Sequence, residues 1–474
     1  MDQTLIDGNT QRAVAAVAPL IARARTAMAA IAEADQERTD ELVIALAWSL
    51  YRPDRAEALA RLAVADTGLG NVPDKIVKNQ RKTFGTLRDL LRARSVGVIE
   101  EDPASGIVRF AKPVGVVAAV TPSTNPSATA VNKAMMALKG RNAVIIAPSP
   151  SGYATTSATV AAMREELARI DAPLDLVQIL PLPASKEATE ALMQAADLVV
   201  VTGSQDNVRR AYRSGTPAIG VGAGNVPVII DETADLDDAA RKIAASKTFD
   251  NATSCSSENA LVIVDSIYDE ACAALRRAGG FLCSADARER VRAALWQGGR
   301  LNRHLIARDA PILADAFALP KEAAAARFFT VEETGFGPAH PFSGEKLSLV
   351  LALYRAADFR DAVAIVRRIL DYQGRGHSCG IHTRDAGRPR ILAEQIDVVR
   401  VLVNFAHTFG NGGGFDSGLN FTLSMGCGTW QKNSISENLS YRHFLNITHL
   451  VRPIPEDRPS EQALFGRYWA KYGK

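Results

Sequence analysis

Pro113-Val-Gly-Val-Val-Ala-Ala-Val-Thr-Pro-Ser-Thr-Asn-Pro126 is the stretch that decides the fold. Its apolar part, residues 114–120, is a β-type run without the alternation of a half-solvated strand, and it breaks into a polar turn before the helix-like residues 127–138. Similar runs follow at residues 143–147, 176–180 and 198–201, separated by helix-like stretches such as 155–169. Continuous apolar strands roughly 20–35 residues apart are what a buried parallel sheet with crossover helices requires. The region is therefore read as a doubly wound α/β unit. Runs at 227–231, 260–265 and 347–354, a helical stretch at 358–369 and a last run at 401–404 imply a second α/β unit.

Working outward, residues 11–91 are rich in Ala, Arg and Leu at helical spacing and are interrupted by Gly68-Leu-Gly-Asn-Val-Pro73, so several helices with an architectural role are expected there. Short β-type runs at 96–100 and 106–110 flank a turn-rich spacer and read as a hairpin that could pair with a second subunit. Residues 408–438 are loop-like, and 453–474 form a polar tail with few core positions.

Lys and Arg (55) nearly balance Asp and Glu (52), and the interleaved signs leave no footprint for nucleic acid. The five cysteines form no CxxC pair, which argues against a disulfide framework and a structural zinc site and favours a reducing compartment. The histidines show no HExxH spacing, so no metal is expected. A basic region leading into an apolar core is missing at the N-terminus, and no run of about 18 apolar residues stands out. The expectation is a cytoplasmic protein with neither signal peptide nor membrane span.

Among the cysteines, Cys255 stands apart in Thr248-Phe-Asp-Asn-Ala-Thr-Ser-Cys-Ser-Ser-Glu-Asn259, a small, polar, loop-like segment. Partly exposed thiols near donors are the nucleophilic ones, whereas Cys272 and Cys283 sit in helix-like or core-like surroundings. An inert Cys255 remains open on composition alone. Thr202-Gly-Ser-Gln205, where a strand hands over to a helix, could turn the N–H groups of Gly203 and Ser204 toward a pyrophosphate, although it is not a GxGxxG motif.

Pro113-Val-Gly-Val-Val, Thr121-Pro-Ser-Thr-Asn-Pro126, Lys139-Gly-Arg-Asn-Ala-Val-Ile-Ile, Gly215-Thr-Pro-Ala-Ile-Gly-Val-Gly-Ala-Gly-Asn225, Lys247-Thr-Phe-Asp-Asn251 with Cys255, Gly344-Glu-Lys-Leu-Ser348, Gly376-His-Ser and Gly426-Cys-Gly-Thr-Trp430 occur in one order along the chain. Together they resemble the aldehyde dehydrogenase superfamily, and in particular its CoA-acylating branch. The resemblance implies a Rossmann-type cofactor domain, an α/β catalytic domain and a small β oligomerisation element, in homodimers or homotetramers. It places the helical region and dinucleotide-binding domain in residues 1–232, with the oligomerisation hairpin at about 96–113. The catalytic domain then covers 233–427, and a return segment with an oligomerisation tail covers 428–474.

The resemblance makes Cys255 the nucleophile that carries a thioester, which either water or CoA resolves. Hydrolytic relatives activate water with a glutamate in Leu-Glu-Leu-Gly-Gly. Here the matching stretch is Gly220-Val-Gly-Ala-Gly224, and losing that base removes about 10²–10⁴-fold of hydrolysis. CoA is then the expected acceptor, with Gly222 and Gly224 making space for cofactor or CoA. Asn125, or its neighbour Thr124, is the expected oxyanion donor, Glu345 the ligand of the nicotinamide ribose, and His377 either an aid to CoA thiol deprotonation or a structural residue. Ala147-Pro148-Ser149 replaces the Lys-Pro-Ser-Glu of many NAD-dependent relatives, so nothing there repels a 2′-phosphate, and NADP is favoured over NAD.

Within the branch, Ala143-Val-Ile-Ile-Ala-Pro-Ser-Pro150, Asn251-Ala-Thr-Ser-Cys-Ser-Ser-Glu-Asn259, Asp416-Ser-Gly-Leu419 and Asn438-Leu-Ser-Tyr-Arg-His-Phe-Leu-Asn446 resemble the acylating sulfoacetaldehyde dehydrogenases. A sulfonate needs cations or N–H donors, and His407, Lys432 and Arg442 are the candidates. Gln431-Lys432 departs from the small glycines that generally follow Trp430 in the branch. Two alternatives stay open: a short neutral aldehyde such as acetaldehyde, and a non-catalytic scaffold with the same fold.

Overall fold

The computed structural model describes the backbone of residues 3–474 and side chains from residue 9 onward. Four helices open it: α1 (Gln3–Ala30), α2 (Gln36–Tyr51), α3 (Pro53–Thr67) and α4 (Val72–Leu91). Their ends are set locally. Asp35 and Asn71 accept N-terminal N–H groups of α2 and α4, Pro53 opens α3, and Gly68 closes it at φ 69°. Within α1, Asn9–Ala30 is long and apolar enough to cross a membrane by length and composition, a run the sequence reading did not single out. In the fold, its Val17, Leu20, Ala24 and Ala27 are buried in the core built on the first parallel sheet.

The expected hairpin is present as β1 (Gly97–Asp102) and β2 (Ile107–Pro113), paired antiparallel. There follow β3 (Val116–Thr121), α5 (Pro126–Lys139), β4 (Ala143–Pro148), α6 (Tyr153–Arg169), β5 (Val177–Ile179), α7 (Lys186–Ala195), β6 (Leu198–Val201), α8 (Gln205–Arg213) and β7 (Ala218–Gly220). The strands pair parallel in the order β5-β4-β3-β6-β7. Every residue of β3, β4 and β6 is buried, which accounts for their unbroken apolar character.

The second unit contains β8 (Val226–Ile230), α9 (Leu236–Thr248), β9 (Glu258–Val264), α10 (Tyr268–Arg277), β10 (Gly280–Leu282), α11 (Ala285–Leu295), a short ribbon of β11 (Trp296–Gln297) and β12 (Arg300–Leu301), and α12 (Ala310–Ala316). It continues through β13 (Phe328–Glu332), β14 (Val350–Ala356), α13 (Phe359–Tyr372), β15 (Gly376–His382), α14 (Arg388–Gln395) and β16 (Val398–Val403). Its seven strands run parallel in the order β10-β13-β14-β9-β8-β15-β16 around a separate hydrophobic core. The sequence reading passed over β10, β13 and β15. Gly376-His-Ser-Cys-Gly-Ile-His382 has no apolar run to betray it, yet all seven residues are buried.

A one-turn helix, α15 (His407–Gly410), and an irregular stretch lead to β17 (Leu445–Val451), which returns to pair antiparallel with β2. The resulting sheet has the order β1-β2-β17. The polar tail ends in α16 (Glu461–Tyr472), none of whose residues is buried.

Candidate active site

Cys255 lies in the connection from α9 to β9. The turn that delivers it holds Asp250, Asn251 and Ala252 at φ 50°, 53° and 60°, a left-handed conformation costly for residues with a side chain. Hydrogen bonds hold it there. Asp250 accepts from the Asn71 amide (3.0 Å), from Lys75 Nζ (3.0 Å) and from Lys78 Nζ, and Asn251 Nδ2 donates to Asp309 Oδ1 (2.7 Å). Burial alone would raise the Asp250 carboxyl; Lys78 and Lys75 hold it below its ordinary value. A buried carboxylate between two α4 lysines thus pins the strained turn.

The Cys255 thiol opens onto a cleft of about 820 Å³ at the C-terminal ends of the first parallel sheet, where a doubly wound fold places ligands. The cleft gathers Thr124 and Asn125 from the turn before α5, and Ala147, Pro148 and Ser149 from the end of β4. It also takes in Gly203 and Ser204 before α8, the Gly222–Gly224 loop, and Glu345. The side-chain oxygens of Thr121 and Ser149 are buried without hydrogen-bond partners, and Ser204 caps α8, whose N-terminal amides face the same space. Volume and donors together fit a dinucleotide. Burial, and then Glu345 and Cys427, push the Cys255 thiol up to about 12, so at neutral pH it is a protonated thiol. Burial likewise pushes the Glu345 carboxyl up to about 8 against the pull of Lys247 and Lys346.

Asn125 is oriented for donation. Lys78 Nζ donates to its Oδ1 at 2.8 Å, so the amide nitrogen, whose only contact is a 3.4 Å bond to Thr124 Oγ1, is left as the available donor. The Thr124 hydroxyl accepts that bond and keeps its own O–H to donate, while its carbonyl accepts from Lys75 Nζ at 3.1 Å.

Gly222 and Gly224 line the cleft, and each is also packed so closely against the protein that it has no room for a side chain. A Cβ on Gly224 would overlap the Cys255 carbonyl oxygen and lie 2.8 Å from Cys255 Cβ. A Cβ on Gly222 would overlap the Gln431 carboxamide and lie 2.8 Å from Cys427 Sγ. Gln431 accepts from the Ala223 amide (2.8 Å) and donates to the Ala223 carbonyl (2.9 Å), so the residue that departs from the branch pattern clamps this loop. Asp206 and Glu345 are the acids among the residues lining the cleft.

Four expected site residues lie elsewhere. His377, fully buried on β15, lines neither cavity at Cys255; its Nδ1 meets Ser378 Oγ at 2.8 Å, and burial keeps the ring neutral. His407 is buried with Nδ1 3.0 Å from the Ser256 carbonyl oxygen, and burial brings its pKa down to about 4, so it supplies no positive charge to a sulfonate. Lys432, with φ 58°, is exposed, and Arg442 is exposed in the turn before β17; neither lines the cavities. Both are cations of the kind a sulfonate needs, and both face solvent instead.

The cations that do face the reacting region come from α4, a helix expected to be only architectural. Lys78, Arg81 and Lys82 line a second, small cavity with Asn125, Ser254, Ser256, Phe249, Phe409, Leu423 and Met425. Asn125, Ser254, Leu423 and Met425 line both cavities, so the two adjoin there, next to Cys255, which lines the larger one. The signal in the sequence was basic residues at 75, 78, 82 and 81, 88, spacings that stack side chains on one helical face. Charge spacing does not disclose which face turns inward.

The family relationship agrees with this geometry. Residues 2–281 match the Aldehyde dehydrogenase family. An acylating sulfoacetaldehyde dehydrogenase of Cupriavidus necator is 53% identical over 98% of this chain and 94% of its own, and one from Bilophila wadsworthia is 42% identical over 95% and 98%. The crystal structure of an acetylating aldehyde dehydrogenase from Geobacillus thermoglucosidasius superposes with a TM-score of 0.90 at 32% identity, covering 95% of this chain and 99% of that one. A cysteine in the wall of a dinucleotide-sized cleft, between two serines that line a small second cavity, on a scaffold shared almost end to end with these proteins, places the conclusion beyond motif matching: the chain belongs to the aldehyde dehydrogenase family.

Proposed function

We propose that the protein is a CoA-acylating aldehyde dehydrogenase that converts sulfoacetaldehyde, CoA and NAD(P)+ to sulfoacetyl-CoA and NAD(P)H. The observation that carries the acylating reading is the packing of Gly222 and Gly224 against Gln431 and Cys255, which leaves no carboxylate at the position from which hydrolytic relatives activate water. The relatives named for sulfoacetaldehyde support the substrate.

In this reading the Cys255 thiol releases its proton to solvent in the cleft, the resulting thiolate adds to the aldehyde carbon, and the oxyanion is held by the Asn125 carboxamide N–H, which Lys78 has turned toward it. When bound, the nicotinamide accepts the hydride that leaves this carbon. Glu345, Gly203, Ser204 and the Ala147-Pro148-Ser149 edge hold the dinucleotide, and Glu345 contributes ribose contacts. The Cys255 thioester that remains is attacked by the CoA thiol, with Cys255 as leaving group. His377 is assigned a structural part, because a proton acceptor for CoA must reach it.

NADP is the proposed preference. Ser149 offers an unpartnered hydroxyl, Lys186 lines the same cleft, and the β4 edge carries no acid. The division near residues 232 and 427, a cytoplasmic location suited to five free cysteines, and a homodimer or homotetramer assembled through the β1-β2-β17 sheet and the tail are part of the same proposal. One assay tests its centre: reduced-cofactor formation over an aldehyde panel, with NADP+ or NAD+, with and without CoA. Turnover is expected only with CoA, and faster with NADP+. Product without CoA overturns the acylating reading, and a strong NAD+ preference overturns the cofactor assignment.

A further inference from the structure

We infer that the cavity walled by α4 is the receptor for the charged end of the aldehyde, with Arg81 and Lys82 as its anion-binding pair. The inference rests on the proposed sulfonate substrate and supplies what that reading lacks, a cationic site within reach of Cys255.

Position comes first. A substrate whose carbonyl carbon is bonded to Cys255 must send its remainder away from the dinucleotide cleft, and the α4 cavity is the second space that opens between Asn125, Ser254, Leu423 and Met425. The charge there is only partly offset, with Asp416 attracting the Arg81 guanidinium from outside the cavity lining. Lys78 is already paired with Asp250. Among the described residues, neither Arg81 nor Lys82 has an ion-pair partner, and no Asp or Glu lines the cavity. Lys82 Nζ has a single hydrogen bond, to the Gly412 carbonyl at 2.8 Å, and Arg81 Nε is buried with no partner. The Arg81 guanidinium sits 5.1 Å from the centre of the Phe415 ring and 5.6 Å from that of Phe409, which fixes its plane and excludes water from one side. Burial, and then the neighbouring Arg81 and Lys78, push Lys82 down to about 7, a cost that an arriving anion relieves.

Size comes next. About 30 Å³ is available to the centres of water-sized groups, room for a compact anion one carbon from the aldehyde and not for a long chain. The hydroxyls of Ser254 and Thr408 in the wall suit a tetrahedral oxyanion with three acceptor oxygens. Arg and Lys binding an anion in a dry cavity is the arrangement in which removing one partner weakens binding most.

The test is steady-state kinetics of the full-length enzyme with CoA on sulfoacetaldehyde, succinate semialdehyde and acetaldehyde, for wild type, Arg81→Met, Arg81→Lys and Lys82→Met, together with competitive inhibition by ethanesulfonate. The wild type should prefer sulfoacetaldehyde to both others. The Arg81→Met variant should lose about 100-fold in the ratio of kcat/KM for sulfoacetaldehyde over acetaldehyde, mostly through KM. Lys82→Met should lose less, and Arg81→Lys should recover part of the ratio. Ethanesulfonate should compete with the aldehyde, and its inhibition constant should rise in parallel in the Met variants. An unchanged ratio in Arg81→Met, or no competition by ethanesulfonate, overturns the receptor while leaving the sulfonate reading standing. Equal use of succinate semialdehyde by the wild type overturns the assignment to so small a cavity. A wild type that prefers acetaldehyde overturns the proposed substrate itself.

Discussion

Cys255 pairs a nucleophile's position with a thiol that ionises late, and the charges around it predict how it titrates. Alkylation by iodoacetamide in the free protein should be slow at neutral pH and accelerate about tenfold per pH unit, because thiolate is the reacting form and the pKa is about 12. Glu345 adds to that suppression only when ionised, and its own pKa is about 8. Replacing it by Gln should therefore leave alkylation unchanged below pH 7 and speed it above pH 9. Acceleration at all pH values would show that Glu345 shields the thiol sterically. At this scale the sequence was informative where chemistry leaves a local mark. Cys255 sits among small polar residues, and Ser149 and Glu345 sit in short motifs; all three reach the cleft. Arg81 and Lys82 left no such mark, because their role depends on a helix face turned toward a cysteine more than 170 positions later, the separation seen between Lys78 and Thr253.

Two elements frame that thiol, the clamped Gly222–Gly224 loop and α4. Gly224→Ala should displace Cys255, since the new Cβ meets main-chain atoms that cannot rotate away. A stability loss of about 1–3 kcal/mol is expected by denaturant unfolding, accompanied by at least about a tenfold loss of kcat. Full activity with unchanged stability would refute the packing account. The strands of both sheets were readable where apolar runs were continuous, and β3, β4 and β6 fall within a residue or two of expectation. Strand β15 was not readable, because it buries the polar side chains of His377, Ser378 and His382 where a strand with both faces covered ordinarily carries an apolar run. Helix α4 was read correctly as a helix and wrongly as scaffolding.

Across the whole molecule, the three larger sheets divide the labour: the five-stranded one carries the large cleft at its strand ends, the seven-stranded one positions Cys255, and the three-stranded antiparallel one carries exposed Ile447, Leu450 and Val451 on β17. Leu464, Tyr468 and Tyr472 form a second exposed apolar stripe along one face of α16, at 63%, 62% and 62% exposure, well beyond what isolated surface residues explain. A chain ending at Arg452 should keep its thermal stability, because α16 buries nothing, but should fall to a smaller species in analytical ultracentrifugation. An unchanged mass would remove the tail from the assembly. The hairpin and the few-core character of the tail were legible from alternation and polarity; the pairing of β17 with β2 was not, being a contact between opposite ends of the sequence.

That long return also sets when the enzyme can become selective during its own synthesis. The cavity wall joins Lys82 to Gly412, positions 330 residues apart, and Asn142 donates to the Phe444 carbonyl across 302 residues. A growing chain can complete the first sheet early, yet the pocket for the aldehyde's charged end does not exist until most of the polypeptide has left the ribosome, because Phe409, Gly412, Leu423 and Met425 complete its wall. Loop closure of this length makes docking of the final segment a late and slow event. Until it occurs, the cavity beside the thiol lacks part of its wall, so substrate discrimination is the last property the fold acquires.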